Sequence, residues 1–433
     1  MLCYISQPNA YALVVEVEPK ANGQECLDKV CEQLGIIEED YFGIQYIGSK
    51  GEHLWLNMRN RIEQQLCGSP PYRLQLRVKF YVQPHLILQE STRHQFYLQV
   101  KQDLHLQRIT LTGDDQIVRI AALIVHAEHG NYQCHHNNAY QHNLYSKLLH
   151  GIVELTSELL QRVTMEHASL QGMSKASAEY HMIQELSTLQ GYGIEYHDAR
   201  TSDGQTSHAG VGPKGIFLFG HDMQLLQKIA FPLVKLATVN GRSCLLRYWE
   251  EDGEEVMVEL KLVSHKAASA LYRSVTEMMS FFFCDTIMDA VSTQYSRDLK
   301  GTIASLFNEN SSLGKQFIFD IKRTGTEAYD HARRLLYTRQ PPRQEMQMEM
   351  DSVDDGTCDN QPKMYKDKIT KTIKDSFLCQ VCMDASIDIA FCPCGHVVCC
   401  QLCSQQLEKC PICRTDIENR QMVYLPQLSL DET

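Results

Sequence analysis

Between residues 379 and 413 the chain reads CQVCMDASIDIAFCPCGHVVCCQLCSQQLEKCPIC, holding nine of its 17 cysteines together with His396. Two-residue spacers recur at Cys379-x-x-Cys382, Cys400-x-x-Cys403 and Cys410-x-x-Cys413, and Cys394-x-His396 stands between the first and second pairs. A C-x-x-C turn aims two thiolates at one point about 2.3 Å from each, the geometry of tetrahedral zinc. A segment so short buries too little apolar surface to fold alone, so metal must supply the missing free energy. Eight donors make two sites. Cys392 and Cys399 are left over as small thiols beside the cluster. By register Cys399 could replace Cys400, but the next spacer would then be three residues, and the two-residue spacing is preferred. Disulfides are the competing reading. The opening MLCYISQ has no basic region followed by an apolar stretch, and a reducing compartment favours thiolate–metal chemistry.

At 433 residues the chain has room for two to four structural units. A net charge of −12 argues against wholesale nucleic-acid binding, and the cysteine stretch is close to neutral, unlike a nucleic-acid ribbon. The apolar runs GIFLFG and MMSFFF fall far short of the roughly 18 to 20 residues of a membrane span. The other cysteines (3, 26, 31, 67, 134, 244, 284 and 358) are scattered, as small buried hydrophobes of a cytoplasmic protein would be.

Residues 1–82 alternate strand runs at 11–17, 41–47, 54–56 and 74–81 with one helix, Gly23–Leu34, spaced through Cys26, Val30 and Leu34. That pattern predicts a ubiquitin-like roll. Residues 86–182 carry helical stripes, one through Phe96, Val100 and Leu104 and another through Leu148, Ile152, Leu155 and Leu159, which predict a helical bundle. In 192–283, short strands separated by turn pairs such as Asp203-Gly204 and Asn240-Gly241 lead to a helix at 265–282. Seven strands closed by a helix is the plan of PH/PTB-like domains. Residues 285–340 read as a helical extension and 341–364, poor in core formers, as a flexible linker. Ile369, Ile373 and Phe377 give 365–378 the spacing of a short amphipathic helix.

Roll, bundle and PTB-like module in this order resemble the trilobed FERM domain over residues 1–283. Trp55-Leu56, Ile62, Gln65 and Phe80-Tyr81 resemble its signature at the first lobe boundary, from which Asn60 and Pro84 depart. Phe96-Tyr97-Leu98-Gln99-Val100-Lys101 and Gly130-Asn131-Tyr132 resemble second-lobe patterns. The eight metal donors, in their order, resemble the C3HC4 RING finger of ubiquitin ligases, here 379–414. With MLCY, YFGIQY, GSKGE, QYSRDLKG, FDIKRT and VYLP, the chain is similar to the FERM–RING E3 ubiquitin ligase family. The expected fold class is multidomain α+β.

The resemblance implies two zinc ions in a cross-brace. Cys379, Cys382, Cys400 and Cys403 would hold one, and Cys394, His396, Cys410 and Cys413 the other. The linker holds only Cys358, so no third metal site is expected. A RING-type transferase has no nucleophile of its own; its partner is a ubiquitin-charged E2 conjugating enzyme. Val381, Leu407 and Pro411 match the family's apolar platform for that enzyme, the alternative being packing within the RING. Arg414 matches a residue that bonds enzyme and ubiquitin together, the alternative being a solvated arginine.

In the third lobe a receptor tail, of the LDL-receptor type, would add as a strand beside residues 234–239. Arg200, Tyr272 and Thr276 would meet it, the helical pair flanking rather than filling the core; otherwise all three are half-exposed residues. In the tail, 415–433, Val423 and Leu425 alternate as a strand that either pairs two RINGs into a homodimer or folds back on its own. Peripheral contact with anionic lipid at the plasma membrane would fall to lysines such as Lys20, Lys29, Lys79 and Lys101, with no choice among them. The expected activity is ubiquitination of the receptor, leading to its degradation, together with autoubiquitination. The second reading is a membrane–cytoskeleton adaptor that binds myosin regulatory light chain and uses its RING to control its own turnover.

Overall fold

A computed structural model describes residues 1–133, 138–250, 253–286, 321–339 and 378–423, apart from position 383 and the side chains of 138–141 and 339. The expected linker, the helix leading into the cysteine stretch and Leu425 lie outside the described residues, Leu378 excepted. The chain divides into two compact units, one of Met1–Ile117, His150–Glu154 and Ile183–Tyr337, the other of Val118–Leu149, Leu155–Met182 and Thr338–Thr433.

In the first unit β1 (Leu2–Ser6), β2 (Ala12–Glu16), β3 (Phe42–Ile47), β4 (His53–Trp55) and β5 (Tyr72–Val78) form a sheet of order β2-β1-β5-β3-β4. The β1–β5 pairing is parallel and the others antiparallel, and the first strand, absent from the sequence expectation, lies inside the sheet between β2 and β5. Helix α1 (Gly23–Leu34) starts at a capping box: Asn22 Oδ1 accepts from the Glu25 N–H at 2.9 Å and Glu25 Oε1 from the Asn22 N–H at 3.3 Å. Gly35, at φ 64°, ends it in the left-handed conformation that glycine adopts without a Cβ clash. Cys26, Leu27, Val30 and Cys31 make its buried stripe. The short α2 (Ile62–Gln65) and long α3 (Glu90–His105) follow, α3 burying Phe96 edge-on to Tyr41, Phe42 and Tyr81.

The second sheet of this unit has seven strands: β6 (Glu195–Arg200), β7 (His208–Gly212), β8 (Gly215–Phe219), β9 (Leu225–Ile229), β10 (Val234–Asn240), β11 (Ser243–Trp249) and β12 (Glu255–Leu262). All neighbours are antiparallel, in the order β10-β11-β12-β6-β7-β8-β9, which leaves β10 and β9 as edges. Helix α8 (His265–Phe283), capped by Ser264, packs on β10, β11 and β7, and also on β4 of the other sheet. Burial between two sheets corrects one expectation. Tyr272 and Thr276 do not flank the core; both are buried, and the Thr276 hydroxyl donates to Tyr272 O at 3.1 Å. The periodicity of α8 displays only the stripe facing its own sheet.

Lys79 is corrected in the same way. It is no solvated lysine for lipid: it is buried and ion-paired to Glu277 at 2.6 Å. Phe80 stacks on Phe281 at 4.1 Å beside it. Helix α9 (Gly325–Arg339) begins at a second capping box, between Thr324 and Glu327. Lys322 and Arg323 pin its approach through Glu39 at 3.1 Å and Asp40 at 3.0 Å.

Residues of α4 (Asp114–His129), α5 (Asn138–Leu148), α6 (Ser157–Ser169) and α7 (Lys175–Ser187) contribute the helical part of the second unit. Buried imidazoles tie its loops: a His126 Nε2 bond to Met173 O and a His167 Nε2 bond to Gly130 O, both 2.8 Å. The cysteine-rich region adds β13 (Ile389–Cys392), β14 (Val397–Cys399), α10 (Gln401–Ser404) and β15 (Asn419–Met422), with sheet order β14-β13-β15.

Candidate metal centre

The β13–β14 hairpin carries Cys394 and His396 at its turn, where Gly395 takes φ 73°. Cys400 caps α10 and Cys403 lies within it, so one helical turn aims both thiols the same way. The loop after Leu378 brings Cys379 and Cys382 to that pair, with the Cys379 N–H donating to Ala385 O at 2.7 Å. Cys410 and Cys413 form the last knuckle, closed by Arg414 N–H to Cys410 O at 2.7 Å with Arg414 at φ 60°.

The donors gather as the cross-brace requires. Ligand atoms of Cys379, Cys382, Cys400 and Cys403 lie within 4.8 Å of one another, and so do those of Cys394, His396, Cys410 and Cys413. Tetrahedral bonds of about 2.3 Å set sulfurs about 3.8 Å apart; Cys382 Sγ and Cys400 Sγ are 3.9 Å apart. His396 Nδ1 is buried with no hydrogen-bond partner among the described residues, leaving a nitrogen lone pair for the second ion. The two clusters fit the two zinc sites of a RING.

Thiol acidity agrees with the donor set. Hydrogen bonds from Cys382, Cys400 and Cys403 hold the Cys379 thiol far below the usual thiol range. Hydrogen bonds to Cys379, Cys382 and Cys400 push Cys403 far above it. One negative charge is welcome among four thiols and further charges repel, so full ionisation needs a dication. Cys413 is drawn down to about 6 by the Thr415 hydroxyl, whereas burial pushes Cys399 up to about 12. Cys400 stands in the first donor cluster and Cys399 in neither, so Cys400 is the ligand.

Around the clusters, Val381 and Leu407 are 6% and 3% exposed, while Pro411 and Arg414 are half-buried. The tail strand β15 returns to its own RING: Ile389 pairs with Met422 and Cys392 with Asn419, and the Val423 N–H donates to Asp388 O at 2.7 Å. Val423 itself is half-buried, and the outer edge of β15 is unpaired among the described residues. Arg420 was missed in the sequence. Its Nε donates to Ser404 O at 2.8 Å and its terminal nitrogen to Leu407 O, fixing the loop that carries Leu407. No local spacing marks such a long-range clamp. In the seven-stranded sheet Arg200 is exposed and sits opposite Lys261, on β6 rather than on the β10 edge, so it is not brought together with Tyr272 and Thr276 on one exposed face.

Three families match the chain: FERM N-terminal domain at residues 5–67, FERM central domain at 82–197, and zinc finger, C3HC4 type (RING finger), at 375–420. Human tyrosine-protein phosphatase non-receptor type 4 is 28% identical over 276 residues, covering 62% of this chain and 29% of its own length. Human band 4.1-like protein 3 is 28% identical over 288 residues, covering 65% of this chain and 26% of its own. The chain thus spans under a third of the length of these curated relatives. Among solved structures, the FERM and C-terminal domain complex of Drosophila Merlin superposes with a TM-score of 0.51 at 19% identity, over 64% of this chain and 99% of that one. A Dictyostelium discoideum myosin VII MyTH4-FERM MF2 domain mutant gives 0.51 at 14% identity, over 65% and 60%. These likenesses carry the fold alone. The chain has a FERM fold followed by a C-terminal RING finger, and among the described residues no helix is long and apolar enough to cross a membrane.

Proposed function

We propose that this chain is a RING-type ubiquitin ligase whose FERM domain recruits the cytoplasmic tails of membrane receptors. The observation that supports the reading is the pair of interleaved donor clusters, beside which Val381, Leu407, Pro411 and Arg414 stand in the chain. Bound zinc supplies structure there, not chemistry. Catalysis is by positioning: the module holds a ubiquitin-charged conjugating enzyme so that a substrate lysine meets the thioester in a reactive orientation. Val381, Leu407 and Pro411 offer apolar contact, and the planar fork of Arg414 suits simultaneous bonds to enzyme and ubiquitin.

The receptor tail adds as a strand along β10, whose outer edge has no partner among the described residues. Tyr272 and Thr276 support α8 beneath that edge, and Arg200, exposed on β6 three strands away, would be met only by a part of the tail that leaves the edge. Two RINGs pair through the edge of β15 that has no partner among the described residues, with Val423 and Leu425 as the side chains expected to aid it. Receptors of the LDL-receptor type at the plasma membrane are the substrate class we favour, with degradation as the outcome and autoubiquitination as a side reaction.

Reconstitution decides between this reading and an adaptor that binds myosin regulatory light chain. With activating enzyme, conjugating enzyme, ubiquitin and ATP, a receptor tail bound to the chain gains ubiquitin if the chain is its ligase. Ubiquitin appearing on the chain alone would favour the adaptor.

A further inference from the structure

Helix α7 is buried on more sides than one neighbour can cover. Ser177, Ala178, Glu179 and Tyr180 are four consecutive buried residues. At about 100° per residue they span roughly 300° of the helix's girth, whereas packing on one side buries a stripe little more than about 100° wide. Ala178, Met182 and Ile183 supply that ordinary apolar stripe. Tyr180 lies off it. Its side chain, 1% exposed, belongs to the buried cluster that includes Val381, Leu407, Ile389 and Phe391 of the RING. Ser177, three residues earlier on the same face, keeps a buried hydroxyl with no partner among the described residues, as expected under an apolar cover.

Two RING residues in that cluster, Val381 and Leu407, are ones that the ligase reading gives to the conjugating enzyme. A platform for a second protein must be open to solvent before that protein arrives, yet Val381 and Leu407 are closed off here. We propose that the Tyr180 face of α7 is a docking surface for the RING's own conjugating-enzyme face, so that a chain closed on itself cannot engage the enzyme. The proposal rests on the ligase reading for its consequence, but the contact stands apart from it. Helix and enzyme compete for Val381 and Leu407. Because residues 340–377 tether the RING to the rest of the chain, a contact weak between separate molecules would suffice to hold the closed form. Whatever draws the RING off α7 then switches transfer on.

A photo-crosslinking benzoylphenylalanine placed at position 180 of the full chain tests the contact directly. In dilute sample it should join α7 to a peptide within residues 379–413, and excess uncharged conjugating enzyme should suppress the crosslink. Crosslinks confined to residues 118–182 would overturn the proposal. Tyr180→Ala should bind uncharged enzyme about tenfold more tightly if the closed form holds nine chains in ten, and should accelerate self-ubiquitination by a similar factor at unchanged zinc content. Equal binding by the two chains would also overturn it. Should Tyr180→Ala fail to fold, the crosslink decides. If the crosslink forms and is displaced by enzyme, yet no chain ever transfers ubiquitin, the docking holds and the ligase reading falls.

Discussion

Lys79 Nζ stands 2.6 Å from Glu277 Oε2, both side chains under a tenth exposed, and so joins the end of β5 to the helix that closes the seven-stranded sheet. Arg273 reaches the other carboxylate oxygen at 3.0 Å, and the Lys79 ammonium lies over the Trp55 ring at 5.4 Å. Lys79→Met leaves Glu277 buried with one cation, and the expected loss is roughly 3 kcal/mol of stability. Replacing both partners by apolar residues should recover much of it. Denaturant unfolding of the chain measures both; a change below about 1 kcal/mol, the range of exposed pairs, would count against the coupling.

Zinc makes the next claim. Cys379→Ser should remove the first ion and abolish ubiquitin transfer while the two large sheets still melt cooperatively. Cys399→Ser should keep both ions, because Cys399 lies outside both donor sets. Native mass spectrometry counts the metal. Loss of an ion on Cys399→Ser would mean that the register of the site is wrong.

Val381→Arg puts an unpaired charge into an apolar contact and should stop ubiquitin transfer with both ions retained. Arg414→Ala should slow discharge of the charged conjugating enzyme while binding of the uncharged enzyme stays near its original strength. Discharge at an unaltered rate would remove Arg414 from the reaction.

Acid should loosen the helical residues around His167. Burial holds this imidazole below its ordinary value of 6.5, while Nε2–H donates to Gly130 O and the Tyr145 hydroxyl sits 2.6 Å from Nδ1. Above pH 6.5 the imidazole is neutral folded and unfolded, and the stabilisation is complete. Below it the unfolded chain takes up a proton that the folded chain resists, so stability falls as pH drops from 6.5 toward the lowered folded value. Hydrogen exchange at α6 and the 130–133 turn should quicken over that window. His167→Gln should flatten the pH response; an unchanged response would assign it elsewhere.

For the tail, Val423→Arg should disperse a RING dimer and reduce activity, since the edge of β15 that is unpaired among the described residues is where a second copy would add. Association has to overcome lost rotational and translational freedom, so the dimer should be weak to moderate. Sedimentation of the unmodified chain at tens of micromolar checks it: a monomer there would leave β15 as a purely internal strand.

Several features were legible because their causes are local. Eight donors in recurring C-x-x-C and C-x-H spacing declare two tetrahedral metal sites within one short stretch of chain. The Asn22 and Glu25 capping box and the αL Gly35 delimit α1 within a few residues of chain. The order of strands and helices followed from periodicity, and with it the α+β class. The strand at Leu2–Ser6 escaped notice because it is short, and its place inside the sheet comes from a parallel partner some 70 residues away.

The sequence by itself thus determined the metal chemistry and the succession of elements. Tertiary structure decided what each exposed-looking side chain meets. Lys79 reads as a surface lysine and is half of a buried ion pair; Tyr272 and Thr276 read as flanking residues and are buried on a helix that packs against both sheets. Burial against a partner remote in sequence is set by where two surfaces meet in space, and periodicity records only how often a residue faces one side of its own element.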